Sequence, residues 1–492
     1  MCLLWVLFSL ECRMSFFTEL GKPKKDKEED KTDEPDNTRG SSSEVDKSDK
    51  KIDNSALKSV DTKKDKDSKS DSEVVSSPNA IIPNPNFEGN NPDVVKVDKV
   101  DDVTKFIDEI IYSAIQADAS DIHIEPHEEK IIIRFRIDGL LRIVYELNKA
   151  LESTLMFKFK ILAKLPTDEH FAPLDGRIPF IYKEKKIDTR ISILPITKGE
   201  KVVIRILSSE GKSYNLEDLG IVGKELEMIQ RSYSKPYGMI LAVGPTGSGK
   251  TTTLYSILKI ISKPEINITT VEDPVEYDLE GVNHVQINNK VDLTFANGLR
   301  AILRQDPNVI MIGEIRDSET AKIAINAAMT GHIVLSTLHT NDAVTTIPRL
   351  VDMGVEKFLV ASTLNIIVAQ RLARRLCDNC KTKSKLTSEE LTSLKQTRPD
   401  IASLLKEGTE VYSEKGCTKC RGTGFKGRIG LYEMLEVKEN IRKQIAISAN
   451  AEELYDLARE NGLKLIVEDG VAKILEGITS ITEVCRVTAL KE

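Results

Sequence analysis

The sequence predicts an α/β protein whose larger domain is built around a mainly parallel sheet. From about residue 221 onward, buried strand patterns alternate with helical patterns, which is typical of βαβ units covered by helices on both faces. Residues 244–251 read GPTGSGKT, a complete phosphate-binding loop pattern that follows one of these strands and opens a helix. The preceding stretch, 98–208, places several strands in succession and predicts a smaller α+β domain.

The length and the charge of the chain limit its architecture and its partners. With 492 residues, the chain exceeds what a single hydrophobic core usually fills, so we expect more than one domain. The formal net charge is −7, so the composition does not show the excess of basic residues that is typical of nucleic-acid-binding proteins. No nucleic-acid partner is therefore expected.

The N-terminal residues differ in composition from the rest of the chain. Residues 1–20 begin with MCLLWVLFSL, an apolar run much shorter than the roughly 20 residues that a spanning helix needs. Three interpretations stay open: a short hydrophobic anchor, a weak export signal, or translated sequence upstream of a true start at Met14. Residues 21–97 are mainly Lys, Asp, Glu and Ser, which predicts a disordered, charged tether.

Residues 98–208 combine helical and strand patterns. Apolar residues recur at helical spacing in VTKFIDEIIYSAI, and LESTLMFKFKILAK predicts a second helix. Alternating patterns rich in β-branched residues predict strands at DIHIEP, KIIIRFRIDG, LLRIVYEL, RIPFIY, KKIDTRISIL and KVVIRIL. The polar, glycine-bearing stretch 209–220 predicts a linker to the larger domain.

Residues 221–492 contain the βαβ pattern. Strands are predicted at YGMILAVG, NITTVED, VIMIGE and HIVLSTLH, and helices at KTTTLYSILKIIS, FANGLRAILRQ and SETAKIAINAAMT. Because ligands of such sheets bind outside the carboxyl ends of the strands, the residues that follow these strands are the candidates for a functional site.

The phosphate-binding loop carries the strongest chemical signal. Its glycines let backbone N–H groups turn toward a phosphate, and the following helix directs its positive N-terminus to the same point. Lys250 is expected to reach the β- and γ-phosphates of ATP, and the Thr251 hydroxyl is expected to ligate Mg²⁺. The predicted nucleotide-contacting residues are Gly244, Pro245, Thr246, Gly247, Ser248, Gly249, Lys250, Thr251 and Thr252.

Acidic and histidine residues follow the other predicted strands. Glu314 ends NVIMIGE, where a carboxylate can orient and partly deprotonate a water molecule. The segment TVEDPVEY adds further acids at the same edge, among them Glu276, which is predicted to take part in catalysis. His332 and His339 belong to GHIVLSTLHTND, and both are predicted to sense the γ-phosphate.

Two C-x-x-C pairs lie within a predicted subdomain of residues 375–430. In a chain without a convincing export signal, this spacing indicates a metal site and not disulfides. Four thiolates form a closed, tetrahedral and therefore structural site, for which Zn²⁺ is the expected ion. The predicted ligands are Cys377, Cys380, Cys417 and Cys420.

Together these stretches resemble one family, the secretion-type ATPases that power type II secretion and the assembly of type IV pili. The motifs that carry the resemblance are ASDIHIEP with RFRIDG, LDGRI, GEKVVIRIL, GPTGSGKTTTLY, TVEDPVEY, LRQDPNVIMIGEIRD, GHIVLSTLHTN, AQRLARRLC and the four cysteines. The resemblance implies a RecA-like motor domain behind a smaller PAS-like domain, assembled as a homo-hexamer. It also identifies TVEDPVEY as the family's aspartate box and GHIVLSTLHTN as its histidine box.

The resemblance further implies two catalytic arginines. Phosphoryl transfer needs positive charge on the γ-phosphate oxygens. In the family, arginines of the smaller domain move onto the nucleotide when the two domains close, and Arg177 in LDGRI and Arg190 in DTRIS match those positions.

The function that these features imply is an ATP-hydrolysing hexameric motor for a type IV pilus or a type II secretion pseudopilus. Such a motor would be cytoplasmic and associated peripherally with the inner membrane through a platform protein and a cytoplasmic adaptor. The alternatives are a competence motor for DNA uptake, a regulatory module that binds nucleotide with little turnover, and a RecA-like nucleic-acid motor.

Overall fold

A computed structural model describes residues 94–207 and 214–489 of the chain. The leader predicted at residues 1–20 lies outside these ranges, as does the predicted tether up to residue 93 and part of the predicted linker. Within the described ranges, no helix combines the length and the apolar content that crossing a membrane requires.

The first part of the described chain builds a seven-stranded sheet. Its elements are β1 (Val95–Val97), α1 (Val103–Gln116), β2 (Ala119–Pro126), β3 (Lys130–Ile137), β4 (Leu140–Asn148), α2 (Glu152–Leu162), β5 (Leu174–Tyr182), β6 (Lys185–Ile196) and β7 (Gly199–Leu207). The strand order is β1-β4-β3-β2-β7-β6-β5, and each pairing is antiparallel except that of β1 with β4.

Local sequence explains how this sheet acquires a core. The Asp102 side chain caps α1 by accepting the N–H groups of Thr104 and Lys105. The apolar stripe of α1 then packs onto one face of the sheet, where Ile122 and Ile124 of β2 are fully buried. The residues that alternate with these isoleucines lie on the other face, which is charged.

One prediction for this region is wrong. The composition places Val95–Val97 in the predicted tether, but these residues form β1 and pair in parallel with β4, Val95 opposite Tyr145 and Val97 opposite Leu147. Both valines pack against the core of the small sheet. A three-residue strand next to a long charged segment is too short for a composition argument to detect.

A second seven-stranded sheet follows, in the order β10-β9-β11-β12-β8-β13-β16. Its elements up to the last parallel strand are α3 (Gly223–Tyr233), β8 (Gly238–Val243), α4 (Lys250–Ile261), β9 (Ile268–Glu272), β10 (Val282–Gln286), α5 (Phe295–Ile302), β11 (Val309–Ile312), α6 (Ser318–Met329), β12 (Ile333–Leu338), α7 (Thr346–Asp352), α8 (Lys357–Thr363) and β13 (Leu364–Leu376). The remaining elements are β14 (Thr382–Lys385), α9 (Ser388–Thr397), α10 (Pro399–Ala402), β15 (Glu410–Ser413), β16 (Phe425–Glu436), α11 (Glu439–Ile447), α12 (Ala451–Glu460), α13 (Ile466–Leu475) and α14 (Ile481–Thr488). Strands β14 and β15 pair with each other apart from the large sheet.

Burial on both faces confirms the predicted α/β architecture of the large sheet. All six residues of β8 are buried, and they alternate between two cores. Met239 and Leu241 join the core that contains residues of α5 and α6, whereas Ile240 and Ala242 join the core that contains residues of α4. The sheet is parallel except for β16, which pairs in antiparallel orientation with β13.

Candidate functional site

The carboxyl ends of the central strands form one edge of the large sheet. β12 lies between β8 and β11 and pairs in parallel with both, with Val243 opposite Leu338. The phosphate-binding loop follows β8, His339 follows β12 and Glu314 follows β11. The register therefore brings the three predicted motifs to the same edge.

Glycines give the phosphate-binding loop its conformation. Gly244 has a φ of 141°, and a Cβ placed there would lie 2.5 Å from the carbonyl oxygen of Gln370, so the position excludes a side chain. Gly249 has a φ of 90° and precedes the first residue of α4, Lys250. The buried amine of Lys250 donates hydrogen bonds to the carbonyl oxygens of Gly244, at 2.9 Å, and of Pro245, at 3.2 Å. The lysine thus lies within the loop where a phosphate would bind.

Charged neighbours act on Lys250. Burial lowers the pKa of the Lys250 amine, the carboxylate of Glu314 opposes this shift, and the guanidinium of Arg371 adds to it. The pKa of Arg371 is itself lowered, mainly by burial. The Lys250 amine therefore interacts electrostatically with both Glu314 and Arg371.

Glu314 lies at the centre of a small cluster. One carboxylate oxygen is 2.6 Å from the Arg316 guanidinium, and the other is 3.4 Å from Nε2 of His339. The Glu314 side chain is largely buried, whereas that of His339 is half exposed. The structure therefore brings the predicted base and one predicted histidine into direct proximity.

The structure does not bring His332 to this edge, which corrects its predicted role at the γ-phosphate. His332 precedes β12, and its backbone oxygen accepts the N–H of Gly238 at the start of β8. The six residues of β12, about 20 Å of extended chain, separate it from His339. Its Nδ1 lies 2.9 Å from the carbonyl oxygen of Ala327, so the imidazole contacts the C-terminal end of α6. Both histidines belong to one motif, but β12 lies between them, so they occupy opposite edges of the large sheet.

The acids of the segment TVEDPVEY have different environments. Glu272, the last residue of β9, is buried and accepts hydrogen bonds from Tyr255, at 2.6 Å, and Thr270, at 2.6 Å, with His284 at 2.9 Å. This network holds the end of β9 against α4 and β10. Glu276 is half-buried in the loop that follows. Glu272 is thus a positioning acid, while Glu276 stays a predicted catalytic residue.

Gln370 is a site residue that the sequence reasoning missed. It follows Ala369, which lies opposite Val243 in the register of β13 and β8. Its buried side chain donates to the carbonyl oxygen of Ser248 at 2.8 Å and accepts from the Thr253 hydroxyl at 3.0 Å. These two bonds brace the loop against the start of α4. Gln370 lies in the motif AQRLARRLC, which contributes to the family resemblance, but a glutamine in a strand carries no catalytic signal by itself.

The two predicted arginines lie side by side on the small sheet. Arg177 on β5 is directly opposite Arg190 on β6, which in turn is opposite Arg205 on β7. Asp121 on β2 is paired with the Arg205 guanidinium at 3.1 Å. Directly opposite residues share a face of a sheet, so the three arginines form a row on one face. Arg190 also donates to the carbonyl oxygen of Val275, in the segment after β9, at 2.5 Å.

A cavity of about 610 Å³ lies beside the phosphate-binding loop. Gly249, Thr252 and Thr253 form part of its wall, and Leu219, Leu372 and Val144 add apolar surface. This volume is within the usual range for a small-molecule site, roughly 300–1,000 Å³. Since its wall includes the first turn of α4, the cavity continues directly from the place where phosphates would bind.

The four predicted cysteines come together, and we call the residues that carry them, 377–380 and 417–425, the knuckle. Their sulfurs all lie within 4.8 Å of one another, and three Sγ pairs are separated by 3.7 to 3.9 Å. A tetrahedral ion with bonds of about 2.3 Å to sulfur separates its ligands by about 3.8 Å. Backbone N–H groups of Cys417 and Gly424 donate to the Cys420 sulfur, as is typical of thiolates around a metal. The donor set therefore fits a metal ion.

The fold and the loop define a P-loop nucleotide-binding protein, and comparison with known proteins narrows this class. Residues 96–486 match the family model of the Type II/IV secretion system proteins. The chain belongs to this family, which confirms the resemblance seen in its motifs.

The relatives include proteins named for pilus assembly and for secretion. The chain is 45% identical over 380 residues to the type IV pilus assembly ATPase PilB of Thermus thermophilus, covering 77% of this chain but only 42% of that protein. It is 44% identical over 386 residues to the type II secretion system protein E of Pseudomonas aeruginosa, covering 78% of this chain and 75% of that protein.

Solved structures share the fold. The pilus retraction motor PilT with bound ADP is 25% identical and covers 78% of this chain and 97% of its own, with a TM-score of 0.54. The ATPase DotB of Legionella pneumophila is 21% identical and covers 80% of this chain and 98% of its own, with a TM-score of 0.58.

The bracing role of Gln370 can be measured. Gln370→Leu keeps the size of the side chain but leaves the Ser248 carbonyl and the Thr253 hydroxyl without this buried partner, a loss of about 1–3 kcal/mol. We expect the affinity for a fluorescent ADP analogue to fall by about tenfold or more while the chain stays folded. Titration and thermal melting of Gln370→Leu should be compared with Gln444→Leu on α11 as the control. An unchanged affinity for the ADP analogue in Gln370→Leu would contradict the proposed bracing role of Gln370.

Proposed function

We propose that the chain is an ATP-hydrolysing motor that drives the assembly of a type IV pilus or a type II secretion pseudopilus. The observation that carries the proposal is the meeting of the phosphate-binding loop, Glu314 and His339 at one sheet edge. Membership of the secretion family and the named relatives support the same function. The chain divides at residues 209–220 into a PAS-like domain and a RecA-like domain.

The loop residues hold the triphosphate. Backbone N–H groups of residues 246–249 and the N-terminus of α4 surround the phosphates. The Lys250 amine then donates to β- and γ-phosphate oxygens in place of the loop carbonyls that it contacts now. The Thr251 hydroxyl is the oxygen ligand for Mg²⁺, which neutralises charge on the phosphates when it is bound. The ribose and the base occupy the cavity beside Thr252.

Glu314 is the general base in this proposal. Its carboxylate holds the attacking water in line with the γ-phosphate and takes its proton as the bond forms. His339, 3.4 Å from the carboxylate, orients it and senses the γ-phosphate. Glu276 stands in the adjoining segment as a further acid for the metal or the water.

The arginine row supplies positive charge during the reaction. Arg177 and Arg190 belong to the small sheet, so they act on the γ-phosphate only when that sheet closes over the nucleotide. The contact of Arg190 with the Val275 carbonyl supports an approach of this kind. Hydrolysis releases the closed state, and the resulting domain rotation is the mechanical output.

The working form is a homo-hexamer that pushes on an inner-membrane platform protein, with a cytoplasmic adaptor. It is cytoplasmic and associates peripherally with the inner membrane through these partners. The knuckle binds one Zn²⁺ per chain as a structural ion, for which the sulfur spacing is the support. Because the charge balance is acidic, no nucleic acid is proposed as a partner.

The second candidate within the family is a competence pseudopilus motor, which would use the same site. A regulatory module with little turnover is disfavoured by the contact between Glu314 and His339, which a binding module does not need. Steady-state ATP turnover with and without added DNA separates the proposed motor from a RecA-like nucleic-acid motor, whose turnover DNA would stimulate.

Glu314→Gln tests the assignment of the base. The amide keeps the size of the side chain but cannot take a proton, so nucleotide affinity should stay within about threefold while turnover falls by about 10²-fold or more. Turnover and ADP binding should be measured beside Lys250→Ala, which should lose both, and Glu356→Gln, an exposed control that should lose neither. Near-normal turnover in Glu314→Gln would contradict the assignment.

Arg177→Ala and Arg190→Ala test the closure. Since each guanidinium contributes mainly in the closed, reacting state, we expect kcat to fall by about 10³-fold while affinity for ADP stays nearly unchanged. Arg136→Ala is the matched control, because Arg136 belongs to the same sheet but pairs with Asp121. If kcat is unchanged in both variants, neither arginine acts in the mechanism.

A further inference from the structure

Residues of the knuckle form part of the wall of the cavity. Cys420, one of the four sulfur ligands, lines the cavity, as do Thr418, Arg421 and Thr423 next to it. Thr252 and Thr253 of α4 line the same cavity. One continuous space therefore touches both the metal site and the nucleotide-binding helix.

The cysteine sulfurs fix the position of this wall. The Cys420 sulfur accepts the backbone N–H of Cys417 at 3.1 Å and that of Gly424 at 3.2 Å. The N–H of Gly422 donates to the carbonyl oxygen of Cys417 at 2.9 Å, which closes the loop between them. A metal that holds the sulfurs in a tetrahedron also holds this loop, because each hydrogen bond ties the backbone to a ligand.

The knuckle also contacts the small domain. Arg421 follows the last cysteine, adopts a left-handed backbone with a φ of 53°, and donates to the carbonyl oxygen of Gln116 at the end of α1. On the other side of the knuckle, Cys377 donates its N–H to the carbonyl oxygen of Gly424 at 2.8 Å, and Cys377 directly follows β13. The knuckle thus joins the C-terminal end of β13 to α1, the first helix of the small domain. Gln370 lies further back in the same strand β13.

We propose that metal binding at the four cysteines and nucleotide binding in the cavity are thermodynamically coupled. The metal holds residues 418–424 in the conformation that encloses the ribose and the base, and a bound nucleotide holds the same residues in the conformation that keeps the sulfurs together. By linkage, each ligand must raise the affinity of the other by the same factor. The inference rests on the proposed function, since it takes the cavity as the nucleoside site. It makes the knuckle a regulatory element, because loss or oxidation of the metal site lowers nucleotide affinity.

Metal release tests the coupling without reference to activity. The full-length protein, loaded with one Zn²⁺ per chain, is mixed with a chromogenic zinc chelator with and without saturating ADP and Mg²⁺. The proposal predicts that ADP slows zinc transfer by about fivefold or more, a usual factor for coupled sites. In the reverse experiment, zinc-free protein should bind a fluorescent ADP analogue more weakly by a similar factor.

Variants locate the coupling at the knuckle. Arg421→Ala should keep one Zn²⁺ per chain but lose most of the protection by ADP, because its contact with the small domain is gone. Lys383→Ala is the matched control, since Lys383 is exposed on β14 and pairs with Glu410 on β15. It should release zinc as the wild type does, with and without ADP.

The outcomes separate this inference from the function on which it rests. If ADP binds but zinc transfer is equally fast with and without it, the coupling is absent while the nucleotide site stands. If the zinc-loaded protein fails to bind ADP, the proposed nucleotide site fails and the coupling fails with it. Should Arg421→Ala not fold, the comparison of wild-type protein with and without ADP still decides the question.

Discussion

The parallel pairing of β8, β12 and β11 is the constraint on which the site depends. Because the three strands run in the same direction and in a fixed register, the residues after each of them reach one edge together. The register is held by burial, since the side chains of β8 alternate into two separate cores, and a slip by one residue would exchange these faces. The loop, Glu314 and His339 are thus positioned by packing in the two cores of the large sheet.

The small sheet carries three arginines in a row across neighbouring strands. Arg177, Arg190 and Arg205 stand directly opposite one another on neighbouring strands, an arrangement in which like charges repel. Asp121 compensates Arg205 at one end of the row. In the proposed mechanism the γ-phosphate brings negative charge to this face when the small sheet closes, so nucleotide binding itself favours closure. This gives a physical reason why a motor of this kind would couple domain movement to the state of its nucleotide.

Much of the fold was predictable because its elements are long and periodic. The helix of α1 and the buried strands around the phosphate-binding loop follow from patterns that reach across several turns or residue pairs. The strand β1 was missed, since three residues next to a charged segment carry no such pattern. The N-terminal leader, and the tether up to residue 93, lie outside the described residues and stay predictions.

The site was predictable where a residue follows a strand and less so elsewhere. The shared location of Glu314 and His339 was predictable because each follows a strand of the same parallel set. His332 was misplaced because a motif was treated as one location although a whole strand runs through it. Gln370 and Glu272 act by bracing, through buried hydrogen bonds with residues that are distant in sequence, and such pairings emerge only when the chain is folded.

The catalytic site around ATP at the loop is proposed to be complete only when arginines of the small sheet contact the γ-phosphate. The most direct measurement is a crystal structure of the full chain with Mg²⁺ and a non-hydrolysable ATP analogue. The account predicts that the triphosphate lies in the loop of residues 244–251, with a guanidinium of Arg177 or Arg190 hydrogen-bonded to the γ-phosphate and the base inside the cavity. An analogue bound in the loop with both guanidiniums beyond hydrogen-bonding distance of every phosphate oxygen would contradict it.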